Sequence, residues 1–138
     1  MNDTEAQEAR IEQILGEDNL RVSDESMKVY RTYIQEHINK PCELTGIEDF
    51  RWEEYYIFGP GDKVEYEELK KTRPSYKDLF VYMSFDDLID DIEGLMVRVR
   101  RISDKKQFVL PLSYLKVTDN DSPNYQLIDD YAVWHVNY

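Results

Sequence analysis

The sequence predicts an α+β domain with a small curled antiparallel sheet or SH3-like barrel and N-terminal helices. Three observations predict this class. Residues 1–40 contain two segments with helical apolar spacing, residues 42–136 contain short segments rich in aromatic and β-branched residues, and turns with Gly, Pro or Asp separate these segments. A chain of 138 residues is long enough to bury one core without disulfide bonds.

The first predicted helix spans residues 4–15 and ends at Gly16, since glycine favours helix C-termini. Its apolar positions are few. We therefore expect an acidic helical arm over residues 1–22, attached loosely to a single domain over residues 23–138.

A second helix is predicted between Ser23 and Pro41. Ser23 is a good N-cap because its hydroxyl can accept a backbone N–H of the first turn. The predicted buried stripe consists of Met27, Tyr30, Ile34 and Ile38. This helix should pack on the sheet through that stripe.

The middle of the chain predicts two strands and a short helix. The strands span residues 42–46 and 50–59, and the second is rich in aromatic residues. Asp62, with Glu65 three residues later, predicts a capping box for a helix that runs through Lys71.

The segment after a predicted strand at residues 78–83 predicts an amphipathic helix between Ser84 and Gly94. Its apolar residues follow the i, i+3, i+4, i+7 spacing: Phe85, Leu88, Ile89 and Ile92. A hairpin with a polar turn is predicted over residues 95–112, and a last strand over residues 131–136.

The charge of the chain disfavours two classes of partner. Its 29 acidic residues against 17 basic ones leave a net charge of -12, which opposes binding to nucleic acid and to anionic membranes. Apolar runs stay far below the roughly 20 residues that cross a bilayer. Because the N-terminus lacks signal-peptide features and Cys42 is the single cysteine, we expect a cytoplasmic protein. We also expect a monomer.

Acidic residues form three groups along the sequence. The groups are Glu48, Asp49, Glu53 and Glu54; Asp86, Asp87, Asp90, Asp91 and Glu93; and Asp119, Asp121, Asp129 and Asp130. Two carboxylates about 4 Å apart repel by roughly 4 kcal/mol at an effective dielectric near 20, and a divalent cation relieves that repulsion. Calcium fits better than magnesium because it accepts irregular sets of oxygen ligands. Zinc is disfavoured because the histidines and the cysteine have no paired spacing.

The acidic groups do not satisfy the EF-hand pattern, which requires glycine at position 6 of the loop. Starting at Asp86, that position holds Asp91; starting at Asp119, it holds Asn124. Any calcium site is therefore assembled from separate segments. The group that begins at Asp86 is equally typical of the solvated face of a helix.

Catalytic motifs are lacking in the sequence. A nucleophile elbow, a Gly-rich phosphate loop and a metalloprotease helix motif are all missing, so we expect no enzyme activity. Besides calcium binding, the charge leaves open an SH3-like interaction module whose acidic face binds a basic protein partner.

Three long segments carry a resemblance to a known family. They are LTGIEDFRWEEYYIFGPGDKVEYEELKKTRPSY, VRVRRISDKKQFVLPLSYLKV and SPNYQLIDDYAVWHVNY. Over residues 41–138 the chain resembles the cyanobacterial calcium-binding protein family, CcbP, whose small acidic members bind calcium without EF-hands and are linked to calcium buffering during heterocyst differentiation. The resemblance implies a cytosolic calcium buffer or sensor.

The acidic residues inside the matching segments are the leading candidate ligands: Glu48, Asp49, Glu53, Glu54, Asp129 and Asp130. The group between the segments supplies weaker candidates: Asp86, Asp87 and Asp90. In a curled sheet, the loop after the first strand can approach the turn before the last strand. We therefore expect Glu48 and Asp49 to lie near Asp129 and Asp130.

Overall fold

The computed structural model describes residues 2–138, which form helices α1 to α5 and strands β1 to β5. In chain order these are α1 (Asp3–Leu15), α2 (Asp24–His37), β1 (Glu43–Gly46), α3 (Arg51–Ile57), α4 (Lys63–Leu69), β2 (Leu79–Asp90), β3 (Gly94–Arg101), β4 (Gln107–Pro111), β5 (Leu115–Val117) and α5 (Pro123–Asn137). Single-turn 3-10 helices at Glu17–Asn19 and Leu112–Tyr114 join neighbouring elements.

The strands form one antiparallel sheet in the order β4-β3-β2-β1-β5. Strands β4 and β5 are the two edges, so the sheet is open rather than closed into a barrel. The predicted α+β class is therefore confirmed. Of the two predicted architectures, a sheet and a barrel, the structure has the sheet.

Local sequence signals placed several elements correctly. Helix α2 begins at a reciprocal capping box in which Ser23 Oγ accepts the N–H of Ser26 at 3.1 Å. Helix α4 begins where Asp62 Oδ2 accepts the N–H of Glu65 at 3.1 Å. Helix α1, strand β1 and the β3–β4 hairpin also lie where the sequence predicts them.

The strand predicted at residues 50–59 is wrong, because this segment forms α3. Aromatic residues favour strands by propensity, but here local capping and burial decide. Glu53 reaches back to accept the N–H of Phe50 at 3.0 Å, and Trp52 Nε1 donates to the carbonyl of Pro74 at 2.7 Å. The helix therefore buries one face and leaves Tyr55 56% exposed.

The helix predicted between Ser84 and Gly94 is also wrong, because β2 continues to Asp90. The register of β2 against β3 shifts between Phe85 and Ile89, and both residues pair directly with residues of β3. Because they are four positions apart in the sequence, they resemble two residues on one face of a helix. The other members of the supposed apolar stripe, Leu88 and Ile92, are 67% and 77% exposed.

The last strand predicted at residues 131–136 is wrong as well, because α5 runs without interruption to Asn137. Its N-cap is Ser122, whose hydroxyl accepts the N–H of Asn124 at 3.1 Å, and Pro123 occupies the first turn. Residues Ile128, Tyr131 and Trp134 are at most 1% exposed, so a helical stripe with a spacing of three faces the core.

The helices α1, α2 and α5 surround an aromatic core. Helix α2 contacts β2 and β3, α5 contacts β5, and α1 packs against both helices. Tyr30 of α2 lies 5.4 Å from Tyr131 and 5.1 Å from Trp134, measured between ring centroids. Helix α1 adds Ile11, which is fully buried, and Leu15. The division of the chain at residue 22 stays a prediction.

Within residues 2–138, the helices lack the combination of length and apolarity that would let one cross a membrane.

Candidate metal site

A cleft of about 600 Å³ lies between the β1–α3 loop and α5. Four of the predicted ligands line it: Glu48, Asp49, Glu54 and Asp129. They come from three segments, the β1–α3 loop, α3 and α5. The structure thus brings part of the first acidic group and part of the last one to the same surface.

The backbone after β1 is held where it can form the cleft. Gly46 donates its N–H to the carbonyl of Tyr76 at 3.0 Å, and Ile47 donates to the carbonyl of Tyr114 at 2.9 Å. A Cβ atom at position 46 would lie 2.6 Å from the Cα of Tyr76, so only glycine allows this approach. The two bonds fix the direction in which Glu48 and Asp49 leave the sheet.

The cleft carboxylates carry uncompensated negative charge. Within residues 2–138, ion pairs are absent at Glu48, Asp49, Glu54 and Asp129. Arg51 also lines the cleft, but its guanidinium pairs with Glu93 at 3.1 Å. The charge of the four carboxylates is therefore available to a cation.

The donor set of the cleft fits calcium. Carboxylate oxygens and the side-chain amide of Asn137 are available, whereas sulfur and imidazole donors are absent from the lining residues. The oxygens are not preassembled, since no three Asp, Glu, His or Cys side chains in residues 2–138 are close enough to hold one ion. Glu48, Glu54 and Asp129 are exposed, and within residues 2–138 Glu48 and Glu54 make no side-chain hydrogen bond, so these two side chains can move toward Asp129.

Glu53, although predicted as a ligand, is fully buried and its oxygens are occupied. One oxygen accepts the backbone N–H groups of Phe50 and Tyr76, each at 3.0 Å. The other accepts the hydroxyls of Tyr66, at 2.9 Å, and of Ser75. Desolvation, followed by the bond to Glu53, raises the pKa of Tyr66. This carboxylate fastens α3 to the segment before β2.

Asp130 is likewise occupied. It is 3% exposed and accepts two hydrogen bonds from the guanidinium of Arg10, at 2.8 and 3.0 Å, and one from Gln7 at 3.0 Å. The hydrogen bond to Asp130 raises the pKa of Arg10. Asp130 therefore faces α1, whereas its neighbour Asp129 lines the cleft.

The acidic group at the end of β2 has local partners. Asp86 pairs with Arg98 at 3.1 Å. Asp90 accepts the N–H groups of Ile92 and Glu93 at 2.9 and 2.8 Å, and the bond from Glu93, then that from Ile92, lowers the pKa of Asp90. Asp87 is exposed. Asp86 and Asp90 therefore have local partners at the end of β2, and a metal site there stays a prediction.

Sequence reasoning missed the α5 contribution to the cleft beyond Asp129. Ala132, Val133, Val136 and Asn137 line it as well. With Asp129 they recur at intervals of three and four, which is one face of a helix. The signal was present, but the strand predicted at residues 131–136 concealed it.

Comparisons with known proteins show the family of this chain and a similar fold. The model of the CcbP family, described as calcium binding, matches residues 10–135. A solved structure described as a calcium-binding protein in the calcium-binding form has 18% sequence identity and a TM-score of 0.60, with 99% of this chain and 96% of that chain covered. A search of the curated proteins finds no match. Because the family match spans most of the chain, the protein belongs to the CcbP family of calcium-binding proteins.

Proposed function

We propose that the protein binds calcium reversibly in this cleft and acts as a cytosolic calcium buffer or sensor without EF-hands. The proposed ligands are Glu48, Asp49, Glu54 and Asp129. One observation carries the proposal: four carboxylates from three segments line a single cleft, and they form no ion pair with the residues that the structure describes. The role involves uptake and release of an ion and has no catalytic step.

Electrostatics explain why a divalent ion would occupy the cleft. Bringing carboxylates to about 4 Å costs roughly 4 kcal/mol per pair at an effective dielectric near 20, and a bound cation more than offsets this repulsion. Ordering exposed Glu and Asp side chains costs conformational entropy, which weakens binding. We therefore expect affinity in the range of calcium sensors, roughly 10⁻⁷ to 10⁻⁵ M, rather than that of tight, rigid sites.

The absence of EF-hands is supported by secondary structure. An EF-hand loop joins two helices. The segment that starts at Asp86 instead runs along β2 and β3, and the segment that starts at Asp119 is followed within a few residues by α5. The proposed ligands belong to other positions, on a loop and two helices that the fold brings together.

A second role is supported by the apolar side of the same cleft. Ile47 and Val136 are 46% and 77% exposed and lie beside the carboxylates. A surface with acidic and apolar parts suits a partner segment with basic and apolar side chains. As an alternative function, we propose that this surface binds a basic protein partner.

Isothermal titration with calcium tests the primary proposal. In the variant Glu48→Gln, Glu54→Gln, Asp129→Asn, saturable binding should disappear. A matched variant removes three exposed carboxylates of α1 and α2 that make no hydrogen bond or ion pair within residues 2–138: Glu8→Gln, Glu25→Gln and Glu36→Gln. The matched variant should bind like the wild type. Equal weakening in both variants would indicate a diffuse charge effect and would contradict the proposal.

A further inference from the structure

Helix α1 contacts the proposed calcium site through Gln7. The side-chain amide nitrogen of Gln7 donates to Asp129 Oδ2 at 3.2 Å and to Asp130 Oδ1 at 3.0 Å. Asp129 lines the cleft, whereas Asp130 is turned toward α1. One amide group thus bridges a proposed ligand and the neighbouring buried carboxylate.

The position of Gln7 is fixed by the next turn of α1. Nε and Nη2 of Arg10 donate hydrogen bonds to the Asp130 carboxylate at 2.8 and 3.0 Å, and Asp130 is 3% exposed. Ile11 is fully buried in the core. These two anchors hold α1 in one register on α5, and that register delivers the Gln7 amide to Asp129.

A neutral amide suits the task of orienting a metal ligand. Gln7 is the hydrogen-bond donor to the Asp129 carboxylate among residues 2–138, and it adds no positive charge that would compete with a cation. An arginine at the same place would neutralise the carboxylate, as Arg10 does for Asp130. Hydrogen bonds that hold a ligating carboxylate commonly contribute to metal affinity.

We infer that Gln7 is a positioning residue of the calcium site and that calcium binding at Asp129 is linked to the docking of α1 on α5. This inference rests on the proposed function, because it assigns Asp129 as a ligand. It extends the site to a residue that precedes the segment matched by the family model, residues 10–135.

Linkage makes the effect reciprocal. If docking of α1 increases calcium affinity by some factor, calcium increases the equilibrium constant for α1 docking by the same factor. Amide hydrogen exchange measures that stability directly. Calcium should therefore slow amide exchange in the first two turns of α1, although none of the proposed ligands lies in this helix.

The test compares Gln7→Met with Gln13→Met. Both substitutions remove an amide from α1 and keep side-chain length, but Gln13 is exposed and makes no hydrogen bond among the described residues. Calcium affinity is measured by titration, and α1 protection by hydrogen exchange with and without calcium. Gln7→Met should weaken calcium binding roughly tenfold, the lower end of the effect expected for residues that orient metal ligands. Gln13→Met should match the wild type.

The outcomes separate this inference from the proposed function. If Asp129→Asn loses affinity while Gln7→Met and Gln13→Met both bind calcium like the wild type, the inference is overturned and the proposed function stands. If Asp129→Asn binds calcium like the wild type, both are overturned. If Gln7→Met lowers the melting temperature equally with and without calcium and leaves the affinity unchanged, Gln7 has only a structural role. A calcium-induced rise in melting temperature that is smaller for Gln7→Met than for the wild type supports the linkage.

Discussion

Replacing Glu53 with alanine should destabilise the fold without removing the calcium site. The substitution leaves four donors without an acceptor, two in a buried and two in a partly buried environment: the N–H of Phe50 and the hydroxyl of Ser75, and the N–H of Tyr76 and the hydroxyl of Tyr66. At about 1 kcal/mol each, the lower end of the cost of an unpaired buried polar group, the expected loss in the free energy of unfolding is about 4 kcal/mol.

Urea denaturation followed by tryptophan fluorescence measures this loss, since Trp52 lies in α3 beside Glu53. Glu53→Gln is the control, because it keeps the shape and one carbonyl acceptor and should lose less than half as much. Calcium titration of Glu53→Ala, under conditions in which it is folded, should give the affinity of the wild type. A loss of stability below about 1 kcal/mol, or a selective loss of calcium binding, would refute the structural role assigned to this carboxylate.

Three further predictions concern the stability and packing of the fold. Gly46→Ala should cost about 2 kcal/mol by urea denaturation, because the added Cβ would lie 2.6 Å from the Cα of Tyr76; a neutral result would contradict the close approach. The Arg101 guanidinium holds the pKa of Asp104 at about 2. The stability that this pair contributes is complete above the unfolded pKa near 4 and is lost as the pH falls toward 2. Asp104→Asn should therefore flatten that part of a pH–stability curve, and an unchanged curve would contradict the prediction. Cys42 is 1% exposed and desolvation raises its pKa to about 11, so a thiol reagent should label it only in denaturant.

The sequence predicted elements that have strong local signals. Ser23 and Asp62 cap α2 and α4 as expected, and alternation along β3 buries Leu95, Val97 and Val99. Tertiary context overrode local preference at residues 50–59 and 84–90, whereas at residues 123–137 the local helix signals of Ser122 and Pro123 were missed. The clearest case is Glu53, whose burial turns an aromatic segment of strand-like composition into a helix.

The candidate site was predictable in outline but not in detail. The acidic groups followed from the pattern of charge, and the approach of the loop after the first strand to residues 129–130 was expected from a curled sheet. Which carboxylate of a neighbouring pair faces the cleft could not follow, because it depends on helix phase. Asp129 lies at the cleft and Asp130 against Arg10, a difference of one position on α5. The same holds for Glu54 at the cleft and Glu53 in the interior.

The most direct test of the central claim is a crystal structure with calcium, in which the anomalous signal locates the ion. We predict an ion in the cleft between the β1–α3 loop and α5, with oxygens of Asp129 and at least one of Glu48, Asp49 and Glu54 at roughly 2.3–2.6 Å. An ion held instead at the β2–β3 turn by Asp86, Asp87 or Asp90, with the cleft carboxylates apart, would contradict the account.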